Sequence, residues 1–82
     1  MTNTTNQNPV ETFDLGLAAA LISDNHKLIN LKRTAQNKVQ FIFLFTDCIK
    51  KATDDYWSDN LRVNARTYFD NIKMLKNRIY TS

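Results

Sequence analysis

Lys38-Val39-Gln40-Phe41-Ile42-Phe43-Leu44-Phe45 is the stretch that decides the fold. Six of its eight residues are apolar, and it is rich in aromatic and β-branched types, so it reads as a β-strand. Successive side chains of a strand point to opposite faces. Val39, Phe41, Phe43 and Phe45 therefore share one face, and Gln40, Ile42 and Leu44 share the other. Both faces are largely apolar. A strand of that kind is covered on both sides, or covered by helices on one side and by a partner on the other.

Upstream, His26 to Arg33 carries Leu28, Ile29 and Leu31 and reads as a second strand. Thr34 to Asn37 joins the two as a hairpin loop. Before the hairpin, Asp14 to Ser23 forms a helix capped by Asp14 or Thr12. It is apolar nearly all round, which is the pattern of a helix buried on more than one side. Gly16, the only glycine in the chain, sits inside it and costs helix stability, so its place there points to close packing. After the hairpin, Thr46 or Asp47 caps a second helix that runs to about Trp57, with Cys48, Ile49, Ala52 and Tyr56 on one stripe. Leu61-Arg62-Val63 alternates and offers a short third strand at the sheet edge. Asn64 then caps a last helix, Ala65 to about Tyr80, with Ala65, Tyr68, Phe69, Ile72, Leu75 and Ile79 as its apolar stripe. The expected fold is α+β: a helix, a β-hairpin, then two helices packed on the sheet.

With 82 residues there is room for one domain. Residues 1–10 are polar and close on Pro9; they read as a disordered tail, and residues 11–82 as the single domain. A domain of this size buries roughly 60% of the surface its unfolded chain exposes. One cysteine, Cys48, leaves no internal disulfide, and the start of the chain has neither a basic run nor an apolar one. Both features fit a cytoplasmic protein. The longest apolar run, Leu15 to Ile22, is too short to span a bilayer, so no membrane role is expected.

The ordered set of residues also carries a resemblance. Asp14-Leu15-Gly16-Leu17-Ala18-Ala19, the aromatic-rich second strand, Tyr56-Trp57, Leu61-Arg62-Val63, Phe69 and the closing Leu75-Lys76-Asn77-Arg78-Ile79-Tyr80 resemble the short bacterial and phage proteins filed as domain of unknown function, number 5659. The likeness runs from about residue 12 to residue 80. It implies one compact domain and brings no catalytic residue, cofactor or activity with it. The Thr/Asn-rich start and the Lys/Asn/Ala loop depart from it.

Several chemistries lack their residues. Glycine-rich phosphate loops need more than Gly16. A structural zinc site needs four ligands, and the chain offers Cys48 and His26. Asp54 and Asp55 are adjacent on a helix and point about 100° apart, so with Asp59 they read as a solvated face rather than a clamp for an ion. Cys48 in the first turn of a helix is the one argument for a reactive thiol; its position on the apolar stripe, beside Ala52, argues for burial. His26, next to a polar turn, reads as exposed and structural. No catalytic residue, metal site or small-molecule cofactor is expected, and the chain reads as a binding module rather than an enzyme.

Charge gives the best functional lead. The net charge is +3, with a sequence pI ≈ 9.2. By segment, the net is +1 over residues 1–45, −2 over 46–60 and +4 over 61–82. Arg62, Arg66, Lys73, Asn77 and Arg78 near the end, with Lys32, Arg33 and Lys38 at the hairpin, form a candidate surface for DNA or RNA, since Lys/Arg contacts to phosphate supply most non-specific affinity. Asp70, spaced i+4 from Arg66 and i−3 from Lys73, gives the competing explanation of an ordinary solvent-facing helix. The row Phe41, Phe43, Phe45 reads as core in preference to a base-stacking platform, because three exposed Phe on one face make a large apolar patch. The alternative function is a protein-interaction or structural module, most simply a homodimer without a nucleic-acid role. Its interface candidates are Trp57, Ile42 and Leu44.

Overall fold

The computed structural model describes residues 8–34 and 38–81. Residues 1–7 of the expected tail and residues 35–37 of the expected hairpin loop lie outside the described residues. Six elements follow in order: β1 (Val10–Thr12), α1 (Leu15–Ser23), β2 (Leu28–Arg33), β3 (Val39–Phe43), α2 (Asp47–Trp57) and α3 (Ala65–Thr81). The class is α+β, as the residue pattern predicts. The strands make one antiparallel sheet in the order β1-β3-β2.

β3 is the central strand. Val10, Glu11 and Thr12 pair with Phe43, Ile42 and Phe41 on one edge. Leu28, Asn30, Leu31, Lys32 and Arg33 pair with Phe43, Ile42, Phe41, Gln40 and Val39 on the other, with a register break at Ile29. The third strand is thus Val10–Thr12 and not Leu61–Val63, which is irregular. The physical reason is that β1 and β2 already occupy both edges of β3. Leu61 and Val63 lie instead against the helices, beside Ala20, Tyr56 and Tyr68. β1 also takes in Val10, the last residue of the stretch read as tail; three residues are too few for an alternation to stand out.

The helices cover one face of the sheet. Phe41 and Phe43 are fully buried in a cluster with Leu17, Leu21, Ile49, Ala52 and Leu75. α1 lies between α2 and α3, and the consecutive residues Leu17 to Leu21 are all buried. A helix hidden on every side needs small residues where its neighbours press closest, and Ala18, Ala19 and Ala20 supply them. Side chains add polar ties: Asn71 Nδ2 of α3 donates to Ser23 Oγ of α1 at 3.0 Å, and that hydroxyl donates to Ala19 O at 2.8 Å.

The helix starts follow the sequence. Asp14 accepts from Leu17 N at 2.8 Å, Thr46 from Ile49 N at 3.0 Å and Asn64 from Thr67 N at 3.0 Å. The ends of α1 and α2 are closed without glycine. Asn25 (φ 71) and Asp59 (φ 67) take the left-handed conformation, and the next residues bond back, His26 N to Leu21 O at 2.9 Å and Asn60 N to Asp55 O at 2.7 Å.

Gly16 is explained by what stands over it. A Cβ there would meet the Tyr56 hydroxyl at 2.6 Å and the Tyr68 hydroxyl at 3.3 Å. Tyr68 donates to Gly16 O at 3.4 Å, so the two phenols nest on the bare start of α1. Alanine improves helix propensity by roughly 1 kcal/mol, but here it drives into a ring held by packing, which costs about 1–3 kcal/mol. Gly16→Ala should therefore lower stability in chemical denaturation, and in a Tyr56→Phe background, where the closest oxygen is gone and the contacts to Asp14 Oδ1 at 3.2 Å and Tyr68 at 3.3 Å remain, the same change should cost less. An equal loss in both backgrounds would refute the packing account.

Candidate nucleic-acid interface

α3 turns one stripe to the core and another to water. Tyr68, Ile72, Leu75 and Ile79 pack against the cluster, with Leu75 fully buried. Those positions step by 4, 3 and 4, which completes a helical stripe. Phe69 and Ala65, expected on that stripe, are exposed instead, because position 69 is turned about 100° from Tyr68. The same correction applies on α2: Ile49, Ala52 and Tyr56 form the inner stripe, and Cys48, expected to be buried, is exposed. His26 is corrected in the opposite sense. Its side chain is 8% exposed and meets Asp24 Oδ2 at 3.1 Å.

The eight residues proposed for nucleic acid divide into two groups. Arg33 at the end of β2 donates from its guanidinium to Ile79 O near the end of α3, which fastens the loop end of the hairpin to the C-terminal end of that helix. A cation suits a helix C-terminus. Lys32 near the end of β2 and Lys38 just before β3 are exposed, Lys32 on the outer sheet face with its pair Gln40, and Lys76, Asn77 and Arg78 are exposed on the last turns of α3. Arg78 lines a shallow cleft with Asn30, Leu31 and Thr81, so it stands against β2. The nearest sheet carboxylate, Glu11, accepts from Gln40 Nε2 at 3.0 Å. Arg62 and Arg66 lie at the other end of α3. Twelve residues separate Arg66 from Arg78, about 18 Å along the axis. Arg62 Nη1 donates to Asp59 O at 3.2 Å and so helps fold the α2–α3 turn. Lys73 stands between the groups, its ammonium 5.3 Å from the centre of the Phe69 ring.

The interface candidates also separate. Ile42 and Leu44 face away from the helices on the outer side of the sheet. Ile42 is only 9% exposed although it stands outside the main cluster, whereas Leu44, Ile29 and Phe13 remain half exposed. Trp57 belongs to the helical layer, at the end of α2, where it is exposed and packs edge-on to the Tyr56 ring at 4.9 Å.

Two aromatic residues on the outer side of α3 were not among the candidates: Phe69, 59% exposed, and Tyr80, 79% exposed. The signal was present in the spacing, since Tyr68, Ile72, Leu75 and Ile79 make a full inner stripe without Phe69. Elsewhere, a cleft of about 320 Å³ lies between Ala20, Tyr56, Leu61, Arg62, Val63 and Tyr68. Among the described residues no three His, Cys, Asp or Glu side chains stand close enough to hold one metal ion. Nor is any described helix long and apolar enough to cross a membrane.

These features define a small α+β domain with a helix-covered three-stranded sheet. The chain belongs to the family described as Domain of unknown function (DUF5659), whose model matches residues 7–81. No curated protein matches it significantly, and no solved structure does.

Burial pushes the Tyr56 phenol above the ordinary tyrosine value of 10.0, and the neighbouring Tyr68 and Asp14 push the same way. The folded state therefore holds this proton more tightly than the unfolded one. The stabilisation is fully present below pH 10 and is lost as the pH rises through the folded value. Tyr56→Phe should flatten the alkaline fall of stability, measured as denaturation midpoints between pH 9 and 11, relative to the unaltered protein. An unchanged slope would exclude Tyr56 as its source.

Proposed function

We propose that this protein is a small non-enzymatic binding module of the cytoplasm that associates with nucleic acid through the basic end of α3 and the neighbouring hairpin. The observation that carries the reading is the Arg33–Ile79 contact. It draws two separate basic segments of the chain, residues 32–38 and 76–78, toward one end of the molecule, and Lys32, Lys38, Lys76 and Arg78 are all exposed, Lys32 on the sheet face opposite Arg33. The acids lie mostly elsewhere: Asp47, Asp54, Asp55 and Asp59 belong to α2 and the turn after it. Clustered cations take up phosphates and release their counterions, so affinity falls as salt rises. Asp70 and the Lys51–Asp55 pair at 3.0 Å show the charge balance of the remaining surface.

A second reading rests on the outer sheet face. Leu44 on the outer face with Ile42, Ile29 at the register break of β2 and Phe13 after β1 are exposed, on a sheet whose Phe41 and Phe43 face the helical cluster. A second copy placed on that face would bury it by an isologous contact. The two readings are compatible, since a dimer would present two basic corners.

Binding of a labelled DNA 20-mer should be measurable at low salt and should weaken linearly on a log–log plot. Replacing Lys32, Lys38 and Lys76 together by Gln should reduce the salt slope by about 2–3 units while leaving the fold intact, since all three are exposed. No binding at low salt would remove the nucleic-acid reading. For the dimer, light scattering at high micromolar concentration should give twice the chain mass, and Leu44→Glu should return it to one. A single-chain mass for the unaltered protein would remove the second reading.

A further inference from the structure

The outer side of α3 carries a pattern that phosphate binding alone does not use. Arg66, Phe69, Lys73, Lys76 and Tyr80 are all exposed, and their spacing of 3, 4, 3 and 4 puts them on one ridge of the helix. The ridge is about 21 Å long. Phe69 and Tyr80 keep most of their surface in water, 59% and 79%. Lys73 holds its ammonium over the Phe69 ring, and Lys76 falls between Phe69 and Tyr80 along the ridge. Asp70, the one acid of α3, borders the ridge four residues after Arg66 and three before Lys73, while Lys76 has no acid three or four residues away on the helix.

Alternation of ring and cation selects among occupants. A protein partner with an apolar patch needs contiguous apolar surface, and the two rings are eleven residues, about 16 Å, apart. A duplex offers its bases only at their edges, with the ring faces already stacked. An unpaired strand offers what the ridge lacks: free base faces for Phe69 and Tyr80, and phosphates between them for Arg66, Lys73 and Lys76. Stacking on exposed aromatic side chains beside a positive track is how unpaired strands are held without sequence readout.

We infer that the α3 ridge binds single-stranded nucleic acid, with Phe69 and Tyr80 stacking on unpaired bases and Arg66, Lys73 and Lys76 meeting the backbone. This rests on the nucleic-acid reading above and narrows it to the unpaired form. The Lys73 ammonium, now resting on the Phe69 ring, transfers to a phosphate when a base takes that face.

The test compares a 12-nucleotide oligothymidine with a 12-base-pair duplex of mixed sequence, both labelled, by fluorescence anisotropy at low salt with the full chain. The oligothymidine should bind more tightly. Phe69→Ala and Tyr80→Ala should each weaken it by roughly fivefold or more, with the salt slope unaltered and duplex affinity little changed. Tyr80→Phe, which keeps the ring, should retain the affinity. Far-UV circular dichroism checks that the variants are folded, as substitution of exposed residues predicts. If both oligomers bind but the ring variants behave as the unaltered protein, or the duplex binds more tightly, the ridge inference is overturned and the basic corner stands. If neither oligomer binds, both fall. If Phe69→Ala instead changes the mass of the free protein, the ridge is a self-contact and the inference is overturned.

Discussion

Phe41 and Phe43 can be dry only because β3 is flanked on both edges and roofed on one face. β1 and β2 take up the backbone hydrogen bonds of β3, which an unpaired strand at the bottom of a core could not leave unmet. α1, α2 and α3 supply the roof through Leu21, Ile49 and Leu75. The described residues form three helices, and all of them lie on that face. This constraint forces α1 into the middle of the helical layer, hidden all round, and requires alanines along it and a glycine at its start. It also leaves the opposite side of the sheet to Ile42 and its half-exposed neighbours.

Much of this was legible in the residues. The alternation of Lys38–Phe45 identified the buried strand and the face it buries. Asp14 or Thr12, Thr46 or Asp47, and Asn64 marked the three helix starts, and Asp14, Thr46 and Asn64 prove to be the caps, because a side-chain oxygen that accepts from a backbone N–H three residues on is a local event. What failed was non-local. Val10-Glu11-Thr12 is a strand only because β3 has a free edge at that place, and nothing within three residues announces it. Leu61-Arg62-Val63 has the alternation of a strand but no edge left to join. Phe69 and Cys48 were put on inner stripes that were complete without them. Apolar character alone outweighed a rotation of about 100°, and His26 was misplaced in the same way by its polar neighbours.

The candidate surface was half legible. Composition placed the positive field in the last quarter of the chain and at the hairpin. It could not show that Arg33 is spent on the end of α3, or that Arg62 is spent on the turn before it, since both partners are backbone carbonyls. With two of the cations given a structural duty, the proposed ligand binding falls to Lys32, Lys38, Arg66, Lys73, Lys76 and Arg78, all exposed. Their neighbours Phe69 and Tyr80, exposed on the same ridge, then offer the ring faces on which unpaired bases are proposed to stack.

Both margins of the sheet are blunted. β1 is three residues long and follows Pro9, which has no N–H to donate. β2 is kinked at Ile29 and ends on Lys32 and Arg33. Short, bent and charged margins are poor templates for another chain. The sheet therefore resists growing strand by strand into cross-β fibrils even though one of its sides is greasy, and self-association, where it occurs, is steered toward a closed pair instead of an endless ribbon.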